Sequence, residues 1–444
     1  MKILFVAMSG IRACDTQLLR LGLTLPGFVE RSKTIASLPS LGLLTLAGMT
    51  PREHDVRYME VLDLKTAPDL PMDVDLVAIS SLSAQVKEAY ALAERFATAG
   101  VQVVMGGLHV TSCPHEPALH GASAAIGEGE IIWPEILEDA AAGRLKPVYD
   151  ARGREFDLAD SPMPRFDLLD IDKYNRLTVQ TSRGCPWKCA FCASSILLTR
   201  RYKQKPIDRV LAEVDEIRRL WPRPFIEFAD DNGFVNRKYW RQLLPELAKR
   251  RIKWFTETDI RIAEDPELVH MARRAGCAEV LIGFESPIKE GLDGIELVRN
   301  FKLTKYQQYV EAVRTTQSAG VRVNACFVLG LDGQGPEAFE AVEAFAREAT
   351  PYDIQVTVQT AFPGTPLYER LKSEGRIIED GAWEKCTLFD VNLHPTHMSA
   401  DELGERFRRL VVNLYSDEAT HHRRQGFRRM WRGAARRARR NRAA

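Results

Sequence analysis

The chain has 444 residues, beyond the roughly 250–300 at which one hydrophobic core stops growing, so we expect at least two domains. Apolar residues make up 45% and charged residues 27%, a globular balance that excludes a mostly disordered chain. The net charge of +1 hides an asymmetry, because residues 421–444 hold ten arginines and no acidic residue, which leaves residues 1–420 at −9. A basic tail on an acidic body suggests that the tail makes a contact of its own.

The first ten residues have one basic side chain and a short apolar run that ends at Ser9. This run is too brief for a signal peptide or a membrane span. We therefore expect a cytoplasmic protein. Its eight cysteines should be reduced and available for metal binding or chemistry rather than for disulfides.

Residues 1–145 alternate short apolar runs, at 3–7, 56–61, 76–79, 101–105 and 124–126, with amphipathic stretches of helical length. This pattern predicts an α/β domain with a doubly wound, Rossmann-like parallel sheet. Ligands of such sheets bind beyond the carboxyl ends of the strands. The candidate binding residues there are glycines, hydroxyls and one histidine: Ser80, Ser81, Ser83, Gly106, Gly107, His109 and Gly127.

Residues 146–172 carry prolines and aspartates without a sustained period, which predicts a linker. A second alternation follows over residues 173–372. Strand-like runs lie at 177–181, 225–228, 254–258, 279–284, 321–329 and 354–360, and helical patterns at 208–220, 238–250, 266–275, 305–319 and 336–349. About six βα units predict a partial TIM-type barrel. Residues 373–444 are predicted to form a helical C-terminal region.

Cys185, Cys189 and Cys192 form a C-x3-C-x2-C run in the loop after the first predicted barrel strand. Thiolates select zinc or iron–sulfur iron. Structural zinc needs a fourth ligand, and no cysteine or histidine with finger-like spacing is nearby. A cubane cluster bound by three cysteines instead leaves one iron open to a substrate or cofactor.

At these residues the chain resembles the radical S-adenosylmethionine (SAM) superfamily, over most of residues 173–372. Asp230, Asp231 and Asn232 match the segment that binds the amino end of SAM in that family. Glu285 and Ser286 match a segment near the ribose, and Gly330 lies in one that packs against adenine. Residues 38–43, 106–109 and 363–368 resemble the subgroup with an N-terminal cobalamin-binding domain.

The resemblance implies a [4Fe-4S] cluster on the three cysteines, SAM on the open iron, and cobalamin between the domains. It also implies a one-electron donor such as flavodoxin or ferredoxin. Methylation of an unactivated carbon is the leading reaction that it implies. Radical oxidation, cyclisation or rearrangement with the same cofactors is the alternative, and a non-catalytic iron–sulfur or corrin-binding protein is a third.

Several of these residues also have an ordinary structural interpretation. Asp230 and Asp231 could begin a turn, although their place after the second barrel strand favours binding. His109 is the one candidate for a lower axial ligand of cobalt, because the D-x-H-x-x-G motif is absent from residues 1–150. A lone histidine at a strand end is more often a structural group or a corrin contact. Cys277 and Cys326 lie at or within apolar runs and are expected in the core.

The tail has an amphipathic helical pattern. Phe427, Met430, Trp431, Ala434, Ala435 and Ala438 recur at helical spacing, with arginines around the rest of the helix. Such a helix can lie in a lipid interface, which motivates the hypothesis of a lipid or membrane-associated substrate. The alternative is a solvated, partly disordered tail. Nucleic-acid binding is not expected, because the acidic body would repel a phosphate backbone.

Overall fold

A computed structural model describes residues 1–21, 38–67, 69–198 and 201–443. In the first domain the strands are β1 Lys2–Met8, β2 Asp55–Val61, β3 Leu76–Ser81, β4 Gln102–Gly106, β5 Ser123–Ile126 and β6 Val148–Asp150. They pair in parallel as one sheet in the order β2-β1-β3-β4-β5-β6. The predicted doubly wound sheet is confirmed.

Helices cover both faces of this sheet: α1 Thr16–Arg20, α2 Leu41–Met49, α3 Val86–Thr98, α4 Leu108–Ser112, α5 Glu116–Leu119 and α6 Gly129–Ala141. On one face, buried Phe96 of α3 packs against alternate side chains of the strands. On the other face, Trp133 of α6 lies 5.3 Å from Phe5 of β1, between ring centroids. Burial on both faces explains why the strands are nearly all apolar.

The linker prediction for residues 146–172 is wrong at its start. Val148–Asp150 pairs in parallel with β5 and closes the edge of the first sheet, so the sheet continues past residue 145. The strand was missed because only Tyr149 of its three residues is buried. Short 3-10 turns at Leu158–Asp160, Phe166–Leu168 and Ile171–Lys173 occupy the rest of the connection.

The second domain contains β7 Leu177–Val179, β8 Ser182–Arg183, β9 Lys203–Gln204, β10 Phe225–Gly233, β11 Lys253–Thr258, β12 Cys277–Glu285, β13 Arg322–Leu329 and β14 Asp353–Val358. Parallel pairing gives the order β14-β13-β12-β11-β10-β7, while β8 and β9 form a separate antiparallel pair. The predicted partial barrel is therefore confirmed.

Helices α7 Ile207–Leu220, α8 Arg237–Arg250, α9 Pro266–Arg274, α10 Phe301–Lys305, α11 Tyr309–Ser318, α12 Glu337–Ala349 and α13 Pro366–Ser373 belong to this domain. Alternate strand residues face the helices; Phe228, for example, packs edge-on against Trp240 of α8 at 5.7 Å. The others face the barrel interior. The helix predicted over 305–319 is present as α11, but its first residues form a 3-10 turn at Tyr306–Gln308 that separates it from α10.

The C-terminal region is less helical than predicted. Helices α14 Ala400–Tyr415 and α15 Asp417–Ala443 are present, but residues 374–399 are irregular apart from a 3-10 turn at Trp383–Lys385. Asp390 of this irregular segment accepts hydrogen bonds from the backbone N–H groups of Cys14 and Asp15 at 2.9 and 2.8 Å. The segment therefore fastens the C-terminal region to the first domain, a role that requires no regular period.

Helix α15 packs along the outside of the barrel. Phe427 is 6% exposed and meets the ring of Tyr352 edge-on at 5.3 Å, and Trp431 lies over the guanidinium of Arg273. The barrel therefore covers Phe427, one of the apolar residues of the helix that the sequence allowed to lie in a lipid interface. The side chains of Ala438 and Arg439 lie outside the described residues. None of the described helices is both long and apolar enough to cross a bilayer.

Candidate active site

The three-cysteine loop lies between β7 and β10, at the carboxyl ends of the barrel strands. Cys189 is buried, and Cys185 and Cys192 are partly exposed. Backbone hydrogen bonds to residues 295–297 secure the loop: Ala190 N–H donates to Ile295 and Leu297 N–H donates to Lys188, both at 2.8 Å. The loop backbone is thus ordered by the protein itself.

Asp230, at the end of β10, organises the start of this loop. Its carboxylate accepts from the backbone N–H groups of Thr181 and Ser182 at 2.7 and 2.9 Å, and also from the Thr181 hydroxyl. Burial raises the pKa of Asp230 to about 6, although these hydrogen bonds act in the opposite direction. Asp230 is buried with both oxygens engaged by the loop, and a contact from it to SAM remains a prediction.

Asp231 and Asn232 lie closer to the cysteines. Asp231 accepts from the N–H of Gly184 at 2.6 Å and bonds the hydroxyl of Ser194. The Asn232 amide nitrogen lies 3.5 Å from the sulfur of Cys185. Both residues therefore lie beside the loop, and a contact from either of them to SAM remains a prediction.

Three residues that the sequence analysis did not single out as site residues support Asn232 and the loop. Asp259 accepts from the Asn232 amide at 2.9 Å and from the Trp187 indole N–H at 2.8 Å. Arg261 donates to Asp259 at 2.8 Å and lies over the Trp187 ring. Trp187 also stacks on Phe301, with centroids 4.1 Å apart. An isolated aspartate or arginine after a strand gives no sequence signal, so only the fold identifies this group.

Burial raises the pKa of the Cys185 and Cys189 thiols. A buried thiol loses its proton readily only when a cation or metal stabilises the thiolate. Lys302, which acts to lower the pKa of Cys189, also pairs with Glu285. The site therefore combines soft donors with a dry environment, as an iron–sulfur cluster requires.

Glu285 and Ser286 end β12. Glu285 has φ of +65°, a left-handed conformation that is uncommon outside glycine and that often marks functional sites. The Ser286 hydroxyl accepts from the side-chain amide of Gln334 at 3.0 Å, and the Gln334 carbonyl accepts from Gly330 N–H at 2.9 Å. Gln334 therefore links the two segments that the sequence analysis associated with the ribose and adenine. It was missed because a glutamine in a loop has no distinctive spacing.

The barrel interior is rich in carboxylates. Glu227 of β10 pairs with Arg176 at 2.5 Å, and Glu285 pairs with Lys302. Glu257 of β11 is exposed to this interior and has no hydrogen-bond or ion-pair partner among the described side chains. Burial within the barrel, together with Glu227, raises the pKa of Glu257 to about 7. Cys326 of β13 faces the same interior, whereas Cys277 is buried in the core as expected.

The candidate residues of the first domain divide between two places. Ser80, Gly106, Gly107 and Gly127 line a cavity of about 160 Å³ against Trp133, at the carboxyl ends of β3, β4 and β5. Gly107 has φ of +110°, and a Cβ there would approach the Ser81 carbonyl at 3.1 Å. Glycine is favoured at this position, and the cavity beside it is lined mainly by apolar side chains. The buried Ser81 hydroxyl has no hydrogen-bond partner among the described residues.

His109 lies elsewhere, in a buried network. Its Nδ1 is 3.1 Å from the Ser83 hydroxyl, and its Nε2 is 3.1 Å from Glu116. Glu116 also accepts from Tyr90 at 2.6 Å and from the Trp383 indole at 3.2 Å. Both ring nitrogens of His109 are therefore engaged within the protein. His109 thus has the contacts of a structural group, and through Glu116 and the ring of Trp383 it connects α4 to the C-terminal segment. A contact from His109 or Ser83 to the corrin remains a prediction.

Residues 179–346 match the Radical SAM superfamily, and residues 365–444 match a domain of unknown function (DUF4070). The chain is 28% identical to bacteriochlorophyllide d C-12(1)-methyltransferase of Chlorobaculum tepidum, covering 88% of this chain and 85% of the relative. It is 30% identical to the uncharacterized methyltransferase sll1242 of Synechocystis sp., covering 83% and 70%.

Among solved structures, the cobalamin-dependent SAM radical enzyme OxsB, with aqua-cobalamin and SAM bound, superposes with a TM-score of 0.68 at 16% identity. The alignment covers 91% of this chain and 65% of that longer chain. At this identity the likeness establishes the fold, which includes both domains.

Proposed function

Because the chain belongs to the radical SAM superfamily, in the group whose members carry a cobalamin-binding domain, we propose that it is a cobalamin-dependent methyltransferase acting on an unactivated carbon. One observation supports the proposal: the carboxyl ends of the strands in the first sheet lie next to the carboxyl ends of the barrel strands. Gly127 of the first sheet's glycine-lined edge shares one cavity with Leu197, which follows the cysteine loop, and with Gly364, and residues of both domains also line a second cavity beside Ala193. The methyltransferase relatives support the reaction type.

The residues fit the implied cofactors. Cys185, Cys189 and Cys192 would hold a [4Fe-4S] cluster, and Asp231, Asn232, Glu285 and the Gly330 segment would hold SAM. Ser80, Gly106, Gly107 and Gly127 would hold part of cobalamin in the cavity that they line. When bound, the cluster and SAM supply the one-electron chemistry that removes hydrogen from carbon, and cobalamin supplies a methyl group.

Residues of the protein itself order the site and exclude water from it. Asp230 and Asp231 fix the loop backbone, and the Trp187–Phe301 stack covers one side of it. The first domain and residues 386–389 close the barrel mouth around the cavity that they share. Exclusion of water protects a reactive carbon centre from side reactions. A reduced flavodoxin or ferredoxin would supply the electron.

We also propose that any membrane contact is electrostatic. The side chains of Arg428, Arg432, Arg436 and Arg440 on α15 are exposed, whereas Phe427 is buried. Arginines near an anionic bilayer each contribute roughly 1 kcal/mol. To test this contact, binding of the full-length chain and of a 1–420 chain is measured on vesicles that contain or lack anionic lipid. Equal binding of both chains would exclude it.

The reaction is tested with anaerobically reconstituted protein, SAM and a low-potential reductant. We expect release of 5′-deoxyadenosine, binding of hydroxocobalamin measured by absorbance, and a product heavier than the substrate by one methylene unit. Bacteriochlorophyllide d and polycyclic lipids form a first substrate panel. Cleavage of SAM with oxidised or cyclised product would contradict methyl transfer, and absence of cleavage would contradict the enzyme class.

A further inference from the structure

A cavity of about 220 Å³ lies where the first domain meets the barrel mouth. Leu82 and Leu108 come from the first domain, Phe362 and Leu388 from the region after β14, and Ala193 directly follows Cys192. None of the described side chains in its wall is charged. The cavity therefore adjoins the cluster loop and presents an apolar surface to it.

Two of these wall residues are large hydrophobic side chains that the protein leaves uncovered. Leu82 is 43% exposed and Leu388 is 37% exposed. Leu388 also has φ of +71°, a strained conformation for a leucine. Exposed apolar side chains that line one cavity indicate a surface completed by an apolar ligand.

Gln355 of β14 supplies the polar group of this cavity. Gln355 is 8% exposed, and its side-chain carbonyl oxygen is buried with no hydrogen-bond partner among the described residues. A buried carbonyl oxygen without a partner is costly, because it has lost its hydrogen bonds to water and has made none within the protein. A ligand that donates one hydrogen bond to this oxygen would remove the cost.

We propose that this cavity binds the substrate, and that the bound part of the substrate is uncharged and mainly apolar, with one hydroxyl or N–H group that donates to the Gln355 carbonyl oxygen. A carbonyl oxygen only accepts hydrogen bonds, so the ligand must supply the donor. Residues of the first domain, of the cluster loop and of the barrel meet here. Leu108 directly follows Gly107 of the proposed cobalamin cavity, and Ala193 directly follows Cys192, so the cavity lies next to both proposed cofactor sites. The inference rests on the proposed function for the identity of the ligand as substrate.

The test uses the full-length chain and two uncharged probes, N-phenyl-1-naphthylamine, which has one N–H, and 1-phenylnaphthalene, which has none. Binding is followed by probe fluorescence. The L82W side chain should fill the cavity and weaken the binding of both probes by at least about tenfold. Q355L should weaken the N–H probe by about five- to tenfold and leave the other unchanged, as loss of one hydrogen bond predicts.

Q359L is the matched control. Gln359 is also buried with an unpartnered carbonyl, but it lines a different cavity, so this variant should bind both probes as the wild type does. The proposal is overturned if L82W leaves probe binding intact, if Q355L weakens both probes equally, or if Q359L matches Q355L. Loss of hydroxocobalamin binding in Q355L would assign the cavity to the cofactor and overturn it as well.

SAM cleavage by the same variants separates this inference from the proposed function. If the wild-type protein cleaves SAM but binds the probes outside the cavity, the substrate-cavity proposal is contradicted and the proposed function is not. Protein that gives the expected probe pattern without cleaving SAM contradicts the enzymatic activity and leaves an apolar binding site. Thermal unfolding of each variant checks folding, and Q355L tests the site even if L82W does not fold.

Discussion

Arg183, two residues before the first cysteine of the loop, forms an ion pair with Glu128 of the first domain at 2.6 Å. A second guanidinium nitrogen contacts Glu130 at 2.7 Å, and Lys203 of β9 also pairs with Glu128 at 2.6 Å. Glu128 is the N-cap residue of α6, and Glu130 lies in the first turn of this helix. The ion pairs therefore join the cysteine loop directly to the glycine-lined edge of the first sheet.

Replacing Arg183 with alanine should weaken the contact between the two domains. Both carboxylates are largely buried, and loss of one partner from a buried pair costs about 3–5 kcal/mol. We expect R183A to lower the free energy of unfolding by roughly that amount in urea titrations, and to increase protease cleavage between residues 150 and 176. R219A, which removes an exposed pair on α7, is the control and should behave as the wild type. Identical unfolding of both variants would contradict a domain-joining role.

Asp230 is predicted to be a structural support of the cluster loop. In D230A the buried N–H groups of Thr181 and Ser182 lose their acceptor, so we expect a loss of about 2–4 kcal/mol in unfolding free energy and reduced iron loading. D230N keeps one acceptor oxygen and should recover part of both. D208A removes an exposed carboxylate from the start of α7 and serves as the control. Full iron loading in D230A would show that the loop is ordered without this side chain.

The three cluster cysteines should each be required for iron. C185A, C189A and C192A should lose the iron and sulfide that wild-type protein retains after anaerobic reconstitution, together with SAM cleavage, because a cubane with only two protein thiolates is weakly bound. C277A removes a thiol buried in the barrel core and should retain the cluster. Undiminished iron in the three loop variants would contradict the assignment of the metal site.

The parallel strands of both domains, apart from β6, were predicted from the sequence, because apolar runs separated by amphipathic stretches reflect which residues are buried. β6 was missed because an edge strand of three residues carries almost no pattern. The cysteine loop was predicted from spacing alone. Gln334, Asp259 and Arg261 were not, because their importance comes from partners that are distant in sequence.

His109 and Phe427 illustrate what a single sequence leaves open. A histidine after a strand can bind a ligand or a neighbour, and only its contacts with Ser83 and Glu116 decide between them. An amphipathic helix can face lipid or protein, and the ring of Tyr352 decides that case. For both residues, the sequence indicates which kind of contact the side chain can make, but it does not identify the group that the side chain contacts.

Phe427 should anchor α15 to the barrel. F427A removes a buried ring and should cost about 3–5 kcal/mol of unfolding free energy, if unfolding of the domain is cooperative. W431A is the matched variant, since Trp431 is 40% exposed and should cost clearly less. Hydrogen exchange should show faster exchange in α15 of F427A. Equal effects of both substitutions would indicate that the helix is not held by this contact.

The stability of the cofactor-free protein should depend on pH through Glu257. Its carboxylate lies in the barrel interior, enclosed by protein and near the carboxylates Glu227, Asp231 and Glu285. Burial first, and then these charges, raise its pKa to about 7. A carboxyl with a raised folded-state pKa contributes stability that is complete below its unfolded value and is lost as pH rises through about 7.

E257Q removes this titration. Wild type and E257Q should therefore unfold at similar urea concentrations near about pH 4, where Glu257 is mostly protonated in both the folded and the unfolded chain, and E257Q should become the more stable protein as pH approaches about 8. E267Q, which replaces an exposed carboxylate of α9, should follow the wild type throughout. Parallel curves for wild type and E257Q across this range would mean that Glu257 titrates at its ordinary value. Its environment would then be aqueous, contrary to the crowding of carboxylates seen in the barrel.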